Sequence, residues 1–167
     1  MDWIFGAFLA VSMIHMVEEY FYPGGFMDVM KRLNPKFAPL VTAPVAAVIN
    51  SLQLLLCVVA IVVGRNVLAF SMSVASLLLI NSLMHIMGCI IVRGYAPGVI
   101  TGILLYMPLS VYAYYLFFSS GQLTANEFIV TGILGALYQI VPMSYFGLAS
   151  AVRRTQMDRS KKKTNFR

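Results

Sequence analysis

The sequence predicts an all-α fold: a polytopic membrane helix bundle of about five transmembrane helices with one short interfacial amphipathic helix. Three observations predict it. Apolar residues make up 60% of the 167 positions and charged residues only 11%, against about a quarter charged in a soluble domain. No water-soluble fold of this size hides that much apolar surface. The apolar residues fall in stretches long enough to cross a hydrocarbon core as helix, which takes about 20 residues. Lastly, eleven of the twelve Lys and Arg fall in alternate connections between those stretches and in the tail.

The first span is expected over residues 3–22, ended by the helix breakers Pro23, Gly24 and Gly25. A segment from Phe26 to Asn34 follows and is closed by Pro35. Its apolar residues Phe26, Met27, Met30 and Leu33 recur at helical spacing opposite Asp28, Lys31 and Arg32, the pattern of a helix lying in the headgroup layer. The second and third spans, 41–64 and 67–92, are separated by Arg65 and Asn66 alone, which permits only an antiparallel hairpin. The fourth span covers 98–118 and the fifth 127–152. Together they form one transmembrane domain, 1–152, followed by a basic cytoplasmic tail, 153–167. The first apolar run lacks the basic start and small-residue cleavage site of a signal peptide, so it is expected to remain as the first helix.

Basic residues set the orientation. Lys31, Arg32, Lys36, Arg93 and all the basic residues of the tail fall on one side, leaving Arg65 on the other. The positive-inside rule then puts the N-terminus outside and the C-terminus in the cytoplasm, with the cell membrane as the expected location. The net charge of +6 lies mainly in the tail and first loop, so its expected partner is the anionic lipid surface. Nucleic acid is not expected, because the tail offers only Phe166 for stacking. Association into a homo-oligomer is left open. Cys57 and Cys89 fall at different depths, so no disulfide is expected between them.

The informative residues are ionisable groups inside an apolar helix. His15, Glu18 and Glu19 stand within five positions of the first span, where each charge costs on the order of 2.5–3.5 kcal/mol to insert. Positions i, i+3 and i+4 share a helix face, so the three are expected to point one way, flanked by Ser12 and Tyr22. His85 and His15 each lie about seven residues from the cytoplasmic end of helices running in the same direction, which puts them at one depth. Asn81 stands one turn before His85, and Asn50 and Gln53 share a face of the second span. Thr101, Pro108 and Tyr112 do so on the fourth, and Tyr138, Pro142 and Tyr145 on the fifth. These positions outline a cavity open toward the cytoplasm.

The string His15-x-x-Glu18-Glu19 at the end of a first hydrophobic helix, together with His85 and the following Tyr95-Ala96-Pro97-Gly98, resembles the HxxEE family of small integral membrane proteins. The resemblance extends from about Phe8 to Pro142. It implies the membrane-helical architecture and marks these residues, without naming a reaction.

Two imidazoles and a carboxylate from neighbouring helices form a ligand set that zinc, iron or manganese accepts, with zinc favoured. His15, His85 and one of Glu18 and Glu19 would supply three ligands and leave a position for water, while the other glutamate acts as base: the logic of metal-assisted hydrolysis. A di-iron centre is less well supplied, since bundle examples use about four carboxylates. Asn50, Gln53, Asn81, Arg93, Tyr95, Tyr138 and Tyr145 are expected to meet substrate or orient the ligands. Arg93 suits an anionic headgroup, although a topogenic charge explains it better. A lipidic or small amphiphilic substrate would arrive from the cytoplasmic leaflet, past segment 26–34 acting as a lid hinged at Gly24 and Gly25.

Two other readings use the same residues. A binding or transport protein would use His and Glu as a protonatable relay. A structural cluster would join His15, Glu18 and Glu19 to Asn50, Asn81 and His85, but interhelical hydrogen bonds in membranes contribute only about 0.6 kcal/mol each and offset two buried acids poorly. The tyrosines 106, 112, 114 and 115 read as lipid-facing or core aromatics, and the Gly132-x-x-Gly135 pair as a site of close helix packing.

Overall fold

Long apolar runs with few internal breakers become helices, and glycine and proline mark where they stop. The computed structural model describes residues 1–21, 25–33, 35 and 39–164, with the side chains at 26, 143, 146, 147, 150, 151 and 153–164 outside that description. Expectations resting on Tyr22, Pro23, Gly24, Asn34 and Lys36, and on the side chains of the basic tail, therefore lie outside the described residues. The helices are α1 (Trp3–Phe21), α2 (Gly25–Leu33), α3 (Ala43–Val63), α4 (Leu68–Val92), α5 (Val99–Thr101), α6 (Met107–Ser119) and α7 (Ala125–Thr164). No strand occurs among the described residues.

Among the described residues, three helical stretches are long and apolar enough to cross a membrane: Trp3–Phe21, Ala43–Val92 and Val99–Ser119. The second is 50 residues long; drawn out straight it would measure about 75 Å, more than twice a hydrocarbon core. It folds back instead. A 3₁₀ turn at Gly64–Val67 separates α3 from α4, and Gly64 adopts φ 51°, a left-handed conformation that suits glycine. The Ser71 hydroxyl then donates to the carbonyls of Ala60 (3.3 Å) and Gly64 (2.8 Å), tying the two arms together. This is the hairpin expected around Arg65 and Asn66.

Paired contacts give the helix directions. Asp2 meets Arg65, Ser12 meets Cys57 and Glu19 meets Asn50, so α1 and α3 are antiparallel. Phe5 stacks on Phe117 and His15 on Tyr106, so α1 and α6 are antiparallel as well. It follows that α1 and α4 run the same way. Helix α4 is the hub, packing against α1, α2, α3, α6 and α7. Its closest approach is to α7 at Gly135, where an added Cβ would strike Ser76 and the backbone of Leu77, whereas one at Gly132 would meet nothing. Only the second glycine of the expected pair is therefore a packing position.

Burial divides the bundle in two. Ile4, Phe5, Phe8, Met72, Leu78 and Phe117 form a close-packed apolar core toward one end, and the ionisable residues lie toward the other. Helix α7 runs on past residue 152, the expected end of the fifth span, to Thr164, since no glycine or proline interrupts 150–164. Helix α2 turns its apolar face onto the protein: Val29 and Met30 are buried, and Met30 packs with Leu40 and Val41 over the end of the bundle. Cys57 is buried beside Ser12 and Cys89 accepts from the amide of Ala96; both are free thiols.

Candidate metal centre

The buried stripe of α1 runs Phe5, Phe8, Ser12, His15, Glu19, a helical i, i+3/i+4 spacing that turns from apolar to ionisable along one face. Helix α4 brings Ser82 and His85 to the same level, both buried. The two imidazoles meet edge to face with centroids 4.8 Å apart. Glu19 Oε1 lies between them, 3.1 Å from His85 Nε2 and 3.5 Å from His15 Nε2. Its other oxygen, Oε2, accepts from Asn50 Nδ2 of α3 at 3.2 Å. The expected convergence of His15, His85 and a glutamate is therefore present, from the two helices α1 and α4, and all three are buried.

The two glutamates part company. Successive residues project about 100° apart on a helix, so Glu18 and Glu19 lie on opposite flanks of His15 and reach different neighbours. Glu18 turns to the start of the α5–α6 helix. There it accepts from the Tyr95 hydroxyl, the Ile100 amide (3.1 Å), the Thr101 amide (2.8 Å) and the Thr101 hydroxyl (2.5 Å). A carboxylate at a helix N-terminus satisfies otherwise orphaned amides and faces the positive end of the helix dipole. The expectation that all three ionisable groups point one way is corrected accordingly: Glu18 is outside the cluster of possible ligand atoms, which comprises His15, Glu19 and His85.

Thr101 links the two glutamate sites. Its single hydroxyl proton goes to Glu18 Oε2, so the contact of 2.7 Å between Thr101 Oγ1 and His15 Nδ1 requires the imidazole to donate. His15 thus carries a proton on Nδ1, and Nε2 is the ring nitrogen left to face Glu19. That atom is buried and has no hydrogen-bond partner, although Glu19 Oε1 is 3.5 Å away. A ring nitrogen facing a carboxylate oxygen is satisfied either by a metal ion between them or by a proton that pairs the ring with the carboxylate.

Two of the three ligand-atom separations suit a small divalent ion. Tetrahedral zinc with bonds near 2.0 Å separates its ligand atoms by about 3.3 Å. The two histidine–glutamate separations bracket that value, and all three candidate atoms lie within 4.8 Å of one another. The surroundings are built to hold the imidazoles. Tyr106 stacks on His15 at 4.3 Å and is itself held by Gln53 at 2.7 Å. Gly98, at φ 96°, lies directly against His85, where any Cβ would collide with the ring.

The remaining expected residues separate cleanly. Asn50 touches Glu19, and Gln53 reaches the site through Tyr106 and Ser12 (3.5 Å). Asn81 lines a cavity beside Glu19 and a smaller one beside His85. Tyr138 lines the larger cavity and accepts from Ser73 at 3.3 Å. Tyr95 holds Glu18. Tyr145 is half exposed, and Tyr112 packs on Trp3 at the far end of α1, away from the site. Arg93 is exposed and ends α4 in the left-handed conformation, its amide returning to Cys89 and Ile90.

Tyr106 is the residue that helical spacing misplaces. A π-helical turn at Gly102–Tyr106 brings residues five apart into line, so Thr101 and Tyr106 both touch His15. Pro108, which has no amide to donate to Leu104, is the signal in the sequence for that break.

A family model described as a protein of unknown function with HXXEE motif matches residues 6–113. Neither the curated proteins nor the solved structures include a match.

Proposed function

We propose that this chain, which belongs to the family of proteins of unknown function with an HXXEE motif, is an integral membrane metalloenzyme with hydrolase-type chemistry on a lipidic or small amphiphilic substrate. In this reading α1, α3, α4, α5–α6 and α7 are five spans of the cell membrane, with the N-terminus outside and the centre in the cytoplasmic leaflet, as the one-sided basic residues favour. The observation that carries the proposal is His15 Nε2, a buried ring nitrogen without a hydrogen-bond partner, 3.5 Å from Glu19 Oε1 and beside the His85 ring.

His15, Glu19 and His85 would hold the ion, zinc by preference and iron or manganese by the same donors. Such an ion supplies Lewis acidity and a bound water of lowered pKa. The Thr101–Glu18 pair fixes the tautomer of His15, and Tyr106 and Gly98 fix the planes of the two rings. Glu18 is not available as the base, because four donors already occupy its oxygens. Glu19 Oε2 is the carboxylate oxygen left for that role, since Oε1 is the one set against the two histidines and Oε2 has a hydrogen bond from Asn50.

A relay reading has one observation in its favour. Glu19, His15, Thr101, Glu18 and Tyr95 form a continuous polar run from the buried cluster to the end of α4. Elemental analysis separates the two. Protein purified under mild conditions should carry about one transition-metal ion per chain, and His15→Ala and His85→Ala variants that insert and fold should lose it. Stoichiometric metal in both variants, or none in the wild type, would leave the protonatable relay. Reporter fusions test the orientation: activity of a cytoplasmic reporter is expected at the C-terminus only, and a cytoplasmic N-terminus would overturn the depth assignment.

A further inference from the structure

We infer that the centre receives a neutral single-chain amphiphile whose polar end carries a hydrogen-bond donor, an alcohol or an amide, and that it discriminates against phosphorylated lipids; this deepens, and rests on, the metal-centre reading. A cavity of about 420 Å³ opens beside Glu19 between α3, α4 and α7, within the size range of pockets that hold one small ligand. Its walls are aliphatic. Leu52 and Leu55 of α3 and Leu137 and Val141 of α7 line it while remaining roughly half exposed on the flank of the bundle. An alkyl chain can therefore slide in sideways between α3 and α7, from where lipid would surround the protein.

The inner end is polar and poor in positive charge. Glu19 and Asn50 close it, and Asn81 and Gln139 line both this cavity and a smaller one of about 70 Å³ that reaches His85 beneath α2. No Lys or Arg is among the described residues lining either cavity, and Arg93 is exposed elsewhere. Glu19 already offsets one charge of a divalent ion there, and a phosphate, with close to two negative charges at neutral pH, would leave the site with an excess of negative charge and no forked donors to receive it. A neutral headgroup incurs no such penalty. The unused hydrogen-bonding capacity favours a donor. Asn81 Oδ1 is buried without a partner, and Pro142, having no amide, leaves the carbonyl of Tyr138 out of the α7 ladder. An O–H or N–H on the ligand would satisfy Asn81 one helical turn from His85.

The test is photolabelling of the full chain in lipid nanodiscs with hexadecanamide carrying a diazirine at the far end of its chain. Adducts are expected on the stretches 49–56 and 137–142. Excess hexadecanamide or hexadecanol should suppress them, and hexadecyl phosphate should compete at least about tenfold more weakly. Leu137→Trp, which fills the cavity mouth, should abolish labelling, and Asn81→Leu should cut the advantage of amide over phosphate, both without loss of bound metal. Equal competition by hexadecyl phosphate, labelling that survives Leu137→Trp, or adducts joining two copies of the chain would overturn the inference. Metal content measured on the same samples keeps the two readings apart. Metal without selective labelling removes this inference alone, whereas selective labelling of a metal-free protein removes the metal centre and leaves the binding preference.

Discussion

At the junction of α1 with α5, Glu18 accepts four hydrogen bonds and is fully occupied. One residue further along, Glu19 faces two imidazoles and one amide, and beside it the nitrogen of His15 is left unpaired. The same side chain thus serves two ends. A carboxylate surrounded by donors fastens one helix to the start of another; a carboxylate set between two imidazoles makes a site that suits a cation. Thr101 makes the first site serve the second, because its hydroxyl both donates to Glu18 and receives the proton of His15.

If that division holds, Glu18→Ala is the most damaging change to the fold. It deprives the Ile100 and Thr101 amides and the Tyr95 hydroxyl of their carboxylate acceptor, a loss of about 3 kcal/mol from charge-assisted bonds. Thermal unfolding in detergent should report it, while molecules that remain folded lose no more metal affinity than the about 10- to 100-fold expected when Thr101 stops orienting His15, since Glu18 acts on the centre only through Thr101. A larger loss from a folded Glu18→Ala protein would place Glu18 among the ligands and dissolve the comparison. The reverse pattern is expected of Glu19→Ala: metal affinity falls by at least about 100-fold. The metal-free stability changes by no more than about 1 kcal/mol, because a buried charge leaves with its cost of desolvation. A smaller effect sharpens the link between the two sites. Thr101→Val keeps both glutamates and removes the hydroxyl that orients His15, so metal affinity should drop about 10- to 100-fold. Titration against a competing chelator measures it; an unchanged affinity would mean that His15 needs no orienting partner.

Much of this arrangement was legible from residue spacing. The hairpin at Arg65 and Asn66 follows from a two-residue gap, and the meeting of His15 with His85 follows from equal depth on helices running the same way. What misled was the equation of i+3 with i+4: His15, Glu18 and Glu19 share a face only loosely, and the 100° between the two acids is enough to send them to different helices. Tyr106 was hidden for a related reason, since an α-helical periodicity cannot anticipate a π turn, although Pro108 marked the place. The role of Gly98 as a bed for the His85 ring depends on tertiary contact, and the sequence offered only its place in Tyr95-Ala96-Pro97-Gly98. Helix α2 was legible as an amphipathic helix, but its pattern does not say what covers the apolar face; Val29 and Met30 are buried against the protein.

X-ray absorption spectroscopy at the metal edge, on protein purified without chelators, reaches the central claim most directly. The expected first shell has two imidazole nitrogens and carboxylate or water oxygen at about 2.0–2.1 Å, and the metal-edge signal should disappear in His15→Ala. A shell containing sulfur near 2.3 Å, which only Cys57, Cys89 or methionine could supply, or a spectrum unchanged by His15→Ala, would contradict it.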